Sequence, residues 1–288
     1  MNLTHLIYFQ TIAETGNVTQ AAKKLFISQP SLSKALNILE QDLDCKLFDR
    51  IGKMLVLNEQ GRIFLKYTNQ IIDCLADARK EIADCYDISA NTVNILISSG
   101  AKYFVSLLAE LRKEHPEIRF HITDRSDRNQ SDPLPDLSIF ASEEESPFDN
   151  CETLFREKLA LAVPVSHPLA GKSSVVFSDF MDELFLATAE GTSMRHSLDR
   201  YCASKDFSPR FACESANSSL IKTMVMNGLG TALVPSVTWA DVEELKLAKI
   251  IPVSDIDFCR YIHIQWNDER YLTLACKKTL EFLFSKHK

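Results

Sequence analysis

The chain has 288 residues, is 45% hydrophobic and 25% charged, and carries a formal net charge of -7. That length supports two or more packed domains, and the negative balance argues against a protein that coats nucleic acid without regard to sequence. No apolar run approaches the ~20 residues needed to cross a bilayer, and the opening MNLTHLIYFQTIAETG lacks the pattern of a secretory leader, so a cytoplasmic protein with no membrane partner is expected.

Residues 1–58 carry six Lys/Arg against five Asp/Glu and form the least acidic part of the chain. Three short helical patterns occupy them. In LTHLIYFQTIAE, Leu3, Leu6, Ile7 and Ala13 recur at helical spacing before Gly16. NVTQAAKKLF places Val18, Ala21, Ala22, Leu25 and Phe26 on one face. SQPSLSKALNILE then opens with Ser28 as a suitable N-cap and Pro30 in a tolerant first turn. Its buried stripe is Leu32, Leu36, Leu39 and Leu43, and beside it Gln29, Ser33 and Asn37 repeat every four residues, flanked by Ser31 and Lys34. Short side chains able to donate and accept suit a helix whose N-terminal half enters a major groove. The bland alternative is a solvated face; the helix just upstream, which supplies a helix-turn-helix pair, favours DNA.

CKLFDRIGKMLVLNEQG reads as two extended pieces around Gly52, from which Arg50 and Lys53 project as candidate phosphate or minor-groove contacts. From residue 58 to residue 88 the pattern is one long helix, capped by Asn58 and spanning roughly 40 Å at ~1.5 Å per residue. Phe64, Thr68, Ile71, Leu75, Ala78, Ile82 and Cys85 trace a heptad seam with one polar interruption. The seam predicts pairing with the same helix of a second chain; packing on the chain's own C-terminal part is the alternative.

From about residue 92 strands and helices alternate, which implies α/β architecture with parallel-type sheets. Small polar residues recur at strand-to-helix junctions: Ser98, Ser99 and Gly100, then Thr192 and Ser193, then Asn217, Ser218 and Ser219. Each junction presents backbone donors and hydroxyls at a helix N-terminus, either as routine capping or, taken together, as a cleft for a polar or anionic ligand. Eight cysteines are scattered without CxxC spacing, so no zinc site or disulfide framework is expected, nor any other cofactor.

The stretches GNVTQAAKKLFISQPSLSKALNILEQDL, LFDR, LVLNEQG, VSHPLA and VMNGLGTALVP resemble the LysR-type transcriptional regulators over nearly the whole chain. The resemblance implies a winged helix-turn-helix in 1–58, a dimerising linker helix in 59–91, and a two-lobed effector domain in 92–288 like a periplasmic binding protein. Lobe I would comprise 92–162 with 266–288, and lobe II 163–265. Gln29, Pro30, Ser31, Ser33 and Lys34 fall where family members contact DNA, Arg50 falls at the wing, and Ser99, Gly100, Thr192 and Ser193 fall where effectors are held. The implied partners are double-stranded DNA with an operator of approximate two-fold symmetry, the chain itself as homodimer or homotetramer, and, as a further candidate, RNA polymerase. The implied effector is a small polar molecule of unknown identity, anionic rather than cationic.

Some positions depart from the family pattern. Lys34 and Lys53 replace the usual arginine, exchanging a planar fork for a point charge. Asp44 replaces a customary glycine, Asn58 a customary threonine, and TDRSDRNQSDPLPDLSIF is shorter than usual, which would reshape one wall of the cleft. An enzyme fits poorly, since the SxxK matches Ser31–Lys34 and Ser219–Lys222 lack companion motifs and no histidine pair has metal spacing. A plain solute-binding protein leaves the N-terminal helices without a purpose. Thiol sensing lacks its nucleophile, because Ser193 stands where peroxide-sensing members carry cysteine.

Overall fold

The computed structural model describes all residues except 53, 86–90, 125–134, 146–147, 149, 241–245, 257–258, 268–269 and 288. Lys53 and most of the shortened segment after Thr123 therefore lie outside the described residues. No described helix is long and apolar enough to cross a membrane. Among the described residues the chain divides into two compact units, one holding residues 1–85 together with 270–273, the other most of the remainder.

Three capped helices begin the first unit: α1 (Leu3–Thr15), α2 (Val18–Lys24) and α3 (Gln29–Asp42). Asn2, Asn17 and Ser28 each accept a backbone N–H of the helix that follows, satisfying donors that have no partner inside the helix. Gly16 closes α1 at φ 59, a left-handed conformation that costs glycine little. The inward face of α1 differs from the expected stripe: Leu6, Phe9 and Ile12 are buried, while Leu3 and Ile7 are exposed. Phe9 turns that face inward by packing its ring against Phe48 and Phe64, with centroids 5.5 and 5.1 Å apart. Phe26 also leaves its expected place. Helix α2 ends at Lys24, Phe26 takes a left-handed φ of 55, and its side chain is 96% exposed.

A hairpin follows, β1 (Phe48–Ile51) and β2 (Met54–Leu57), in antiparallel register from Phe48 against Leu57 to Ile51 against Met54. The buried Glu40 of α3 pins it, accepting the Leu47 N–H at 3.0 Å and the Lys46 ammonium at 2.6 Å. Asp44 occupies the turn before it at φ 50, which is why a glycine serves at this position and a short polar side chain is tolerated. Helix α4 (Glu59–Cys85) leaves the hairpin through Asn58, whose Oδ1 accepts the Gly61 N–H and whose Nδ2 donates to the Lys46 carbonyl, both at 2.8 Å. The helix packs so closely that a Cβ on Gly61 would lie 2.0 Å from the Leu47 carbonyl oxygen.

Further along α4, residues 270 and 271 grip one side of the helix. Arg270 donates to both oxygens of Asp77 at 2.6 and 2.9 Å and pairs with Asp73 at 2.9 Å. Tyr271 donates its backbone N–H to Asp77 at 3.3 Å and its hydroxyl to Asp84 at 3.2 Å. A two-pronged guanidinium contact fixes orientation as well as charge.

The second unit has two lobes. The first lobe is a five-stranded sheet ordered β4 (Arg119–Thr123), β3 (Thr92–Ile97), β5 (Leu137–Ser142), β12 (Arg260–Trp266) and β6 (Cys151–Glu157). Strand β3 runs parallel to β4 and β5, whereas β12 runs antiparallel to β5 and β6, so the sheet is mixed rather than parallel. Helices α5 (Ala101–Glu114) and α8 (Leu274–Ser285) belong to this lobe and pack against each other. The second lobe centres on β7 (Leu159–Pro164), antiparallel to both β10 (Ala232–Pro235) and β11 (Ala248–Pro252). The parallel pair β8 (Leu184–Thr188) and β9 (Arg210–Ser215) joins it through bonds of Leu184 and Leu186 to Thr231, with α6 (Ser193–Ser204) and α7 (Ser218–Met226) packed on these strands.

The lobe boundaries differ from those expected at 162/163 and 265/266. All of β7 is buried and pairs within lobe II, and all of β12 pairs within lobe I, so the chain crosses between 157 and 159 and again between 252 and 260. Alternate residues of β7 fill two cores: Leu159, Leu161 and Val163 pack with Phe185, Leu198 and Tyr201, while Ala162 packs with Ile221, Val225 and Val234. An apolar run identifies a strand; which sheet receives it is set by pairing partners far away in sequence.

Candidate nucleic-acid interface and ligand cleft

Helix α3 buries Leu32, Ala35 and Leu39 against α1, α2 and the hairpin, which turns its other side outward. Gln29, Pro30, Ser31, Lys34 and Asn37 are exposed and Ser33 is half-buried. Gln29 Nε2 donates to Ser33 Oγ at 2.9 Å, and the Ser28 and Ser31 hydroxyls lie 2.7 Å apart. Exposed neutral bonds of this kind exchange for intermolecular ones at little net cost. Arg50, exposed on β1, stands on the hairpin beside this helix.

The predicted seam of α4 divides in two. Phe64 packs into the core of the helical head and Thr68 is fully buried, so neither belongs to an outward stripe. The ring of Phe64 is captured by Phe9, a contact that heptad spacing does not report. Ile71, Leu75 and Ile82 remain 48%, 38% and 59% exposed, with Ala78 exposed between them, and Ile63 and Tyr67 extend the apolar row toward the head.

In the second unit a cleft of about 670 Å³ opens between the lobes. Phe140, Ser142, Glu143 and Arg260 line it from lobe I, and Thr192, Ser193, His196 and Asp199 from lobe II. Arg260 is only 2% exposed. Its Nη2 donates to Ser99 Oγ at 2.5 Å, and its Nε lies 3.3 Å from the carboxylate of Glu157, itself fully buried. That carboxylate also accepts the backbone N–H groups of Val237 and Thr238 at 3.1 and 2.9 Å, tying the end of β6 to lobe II. Burial pulls the Arg260 guanidinium below the ordinary arginine range, while Glu157 and Glu143 oppose the shift. The group stays charged, as arginine does in proteins.

Of the sequence-predicted cleft residues, Thr192 and Ser193 line the cleft directly. The Thr192 hydroxyl accepts the Arg195 N–H at 3.2 Å and donates to the Ala189 carbonyl at 2.9 Å, so it caps α6. Ser99 reaches the cleft through Arg260. Gly100, at φ 69, lets α5 start where a Cβ would lie 2.8 Å from Thr238, so the small residue there brings the lobes together. Ser98 is exposed and does not line the cleft. Asn217 caps α7, accepting the Ser219 N–H at 2.9 Å, and neither it nor Ser218 is brought to the cleft. Sequence reasoning missed Glu40, Glu143, Glu157 and Arg260. The available signal was slight: an arginine opening the apolar run YIHIQW, and a glutamate just before LALAV.

Burial pushes the Cys202 thiol up to about 11, which suppresses the thiolate that peroxide chemistry requires. Ser31 and Lys34 lie on the exposed turn of α3, and Lys222 of the second SxxK match sits over the Trp239 ring at 4.9 Å.

Comparison with known proteins gives two family matches, "Bacterial regulatory helix-turn-helix protein, lysR family" over residues 3–62 and "LysR substrate binding domain" over residues 90–287. An uncharacterized HTH-type transcriptional regulator of Bacillus subtilis, YybE, is 29% identical over 99% of this chain and 99% of its own length. The RuBisCO operon transcriptional regulator of Allochromatium vinosum is 26% identical, covering 99% of this chain and 96% of that protein. Among solved structures, full-length CbnR complexed with its target DNA superposes with a TM-score of 0.66 at 19% identity, covering 98% of this chain and 99% of that one.

Proposed function

The chain belongs to the LysR family of DNA-binding transcriptional regulators, and from that premise we propose how its parts act. The outward face of α3, comprising Gln29, Pro30, Ser31, Ser33, Lys34 and Asn37, enters the major groove. Arg50 holds a phosphate beside it, and Lys53, which lies outside the described residues, serves the same wing. Ile71, Leu75, Ala78 and Ile82 pair with the same row on a second copy, because an uncovered apolar stripe of this length is costly in water. Two heads so joined address major grooves about 34 to 36 Å apart, giving an operator with approximate two-fold symmetry.

The cleft is the effector site, and the effector carries an anionic group that pairs with Arg260 between Thr192 and Ser193 on one lobe and Ser99 on the other. Such a molecule shifts the spacing of the heads only to the extent that it binds one arrangement more tightly.

The observation that carries the regulatory reading is the division of α3, leucines buried and short polar side chains outward. Its test is titration of the purified chain onto DNA from upstream of its own gene, with competitor DNA and at several salt concentrations. Tight binding that survives competitor and falls steeply with salt is expected; weak, sequence-blind binding to every upstream fragment tried would sink the reading. For the pairing, Ile71→Glu with Ile82→Glu should convert the oligomer to a monomer by light scattering while the melting transition of the head persists. An unchanged mass would move the interface elsewhere.

A further inference from the structure

We propose that the effector is zwitterionic, an amino acid or close relative, with Arg260 taking its carboxylate and Glu143 its ammonium group. The proposal rests on the reading that the interlobe cleft is the effector site and deepens it.

Two polar groups in this cleft have unspent capacity. Arg260 gives Nη2 to Ser99 and turns Nε toward Glu157, yet Nη1 is buried with no hydrogen-bond partner among the described residues. Glu157 cannot fully relieve it, because its oxygens already accept from the Val237 and Thr238 N–H groups and the Thr238 hydroxyl. Glu143 shows the converse state. Its Oε2 is bonded by Arg200 and lies 3.8 Å from His196 Nε2, both on α6, while its Oε1 is buried and has no partner among the described residues.

Strand pairing makes the two groups neighbours. Ser142 pairs with Tyr261 across β5 and β12, so Glu143 and Arg260 are the next positions along the same ladder. A buried donor and a buried acceptor that lack partners each cost free energy unless something fills both. A plain carboxylate would satisfy Arg260 but leave the Glu143 oxygen unmet and bring a second negative charge beside it. A plain amine would do the reverse. A phosphorylated acid fits worse still, since Glu144 and Asp199 also line the cleft and would face its extra charge. A molecule carrying a carboxylate and an ammonium group on one carbon answers both groups at once. Because Glu143 also reaches α6 through Arg200, filling the site would register on both lobes.

The test uses the full-length chain. Each of the twenty protein amino acids is compared, by thermal shift and then by calorimetry, with its deaminated acid and its decarboxylated amine, alongside succinate and a phosphorylated glycerate. At least one amino acid should bind tenfold or more tightly than both of its truncated analogues. Glu143→Gln should erase that preference, weakening the amino acid about tenfold while leaving the deaminated acid unchanged or tighter, with melting of the unliganded protein preserved. A cleft that takes succinate or the phosphorylated acid in preference, indifferent to Glu143→Gln, or one that binds no amino acid, would overturn the zwitterion and leave the anion reading of Arg260 standing if anions still bind. Binding of no anion at all, with Arg260→Gln without effect on any probe, would remove the underlying site as well.

Discussion

The helical head and the interlobe cleft place their polar residues in opposite ways. On α3 the outward residues lie within ten positions, from Ser28 to Asn37, and all but Ser33 and the buried stripe are exposed. In the cleft the side chains come from residues 99, 143, 157, 192–200 and 260, and the central arginine is almost fully buried. On the proposed reading the head meets DNA with groups that the fold does not need, whereas the cleft takes its effector with groups that also hold the lobes together. Changes on α3 should alter recognition and spare stability; changes at Glu157 or Arg260 should do both.

The sharpest way to break this contrast is Glu157→Ala. It strands the buried Arg260 and frees the Val237 and Thr238 N–H groups, so a loss of roughly 3–5 kcal/mol is expected from removing one partner of a buried pair. Urea unfolding monitored on the second unit measures it, and a loss below about 1 kcal/mol would mean the pair is not structural. Next comes Gly61→Ala, where the new methyl meets the Leu47 carbonyl oxygen. Overpacking of this kind costs ~1–3 kcal/mol, and the loss should appear in the transition of the head; a neutral result would show that α4 can move off the hairpin.

Ser33→Trp tests the opposite side of the comparison. Operator affinity should fall at least about tenfold, or ~1.4 kcal/mol, with an unchanged melting temperature. Equal affinity would transfer the reading face to other residues.

The smallest effect concerns pH. Burial holds His263 and His287 below the ordinary histidine range. The unfolded chain takes up these protons near pH ~6.5, the folded chain only at lower pH. Stability is therefore complete above about 6.5 and declines as pH falls below it. Urea midpoints at pH 7.5 and 5.5 should differ less in His263→Gln than in the parent chain, and identical slopes would remove His263 from the account.

How much of this was legible in the sequence follows the same division. Capping at Ser28, the Gln29/Ser33/Asn37 repeat and the leucine stripe are local patterns of helix geometry, and the structure places them as the spacing requires. Phe26 escapes that logic because one left-handed residue takes its side chain out of the helical phase. Phe64 looked like part of the seam because heptad spacing cannot see the ring of Phe9. The cleft was half legible: small residues before α5 and α6 mark junctions, but Arg260 and Glu143 meet only through the pairing of β5 with β12, a contact between segments more than a hundred residues apart.

The grip of Arg270 on Asp73 and Asp77 bears on how such a chain can be cut and recombined. A fragment ending after α4 would present two carboxylates one helical turn apart with their counterion left behind. A chimera that grafts a foreign effector domain onto this head would inherit whatever residue the donor supplies at position 270. Head and linker helix are thus not a portable cassette: the unit they form also takes in a short patch around Arg270, encoded almost two hundred codons later.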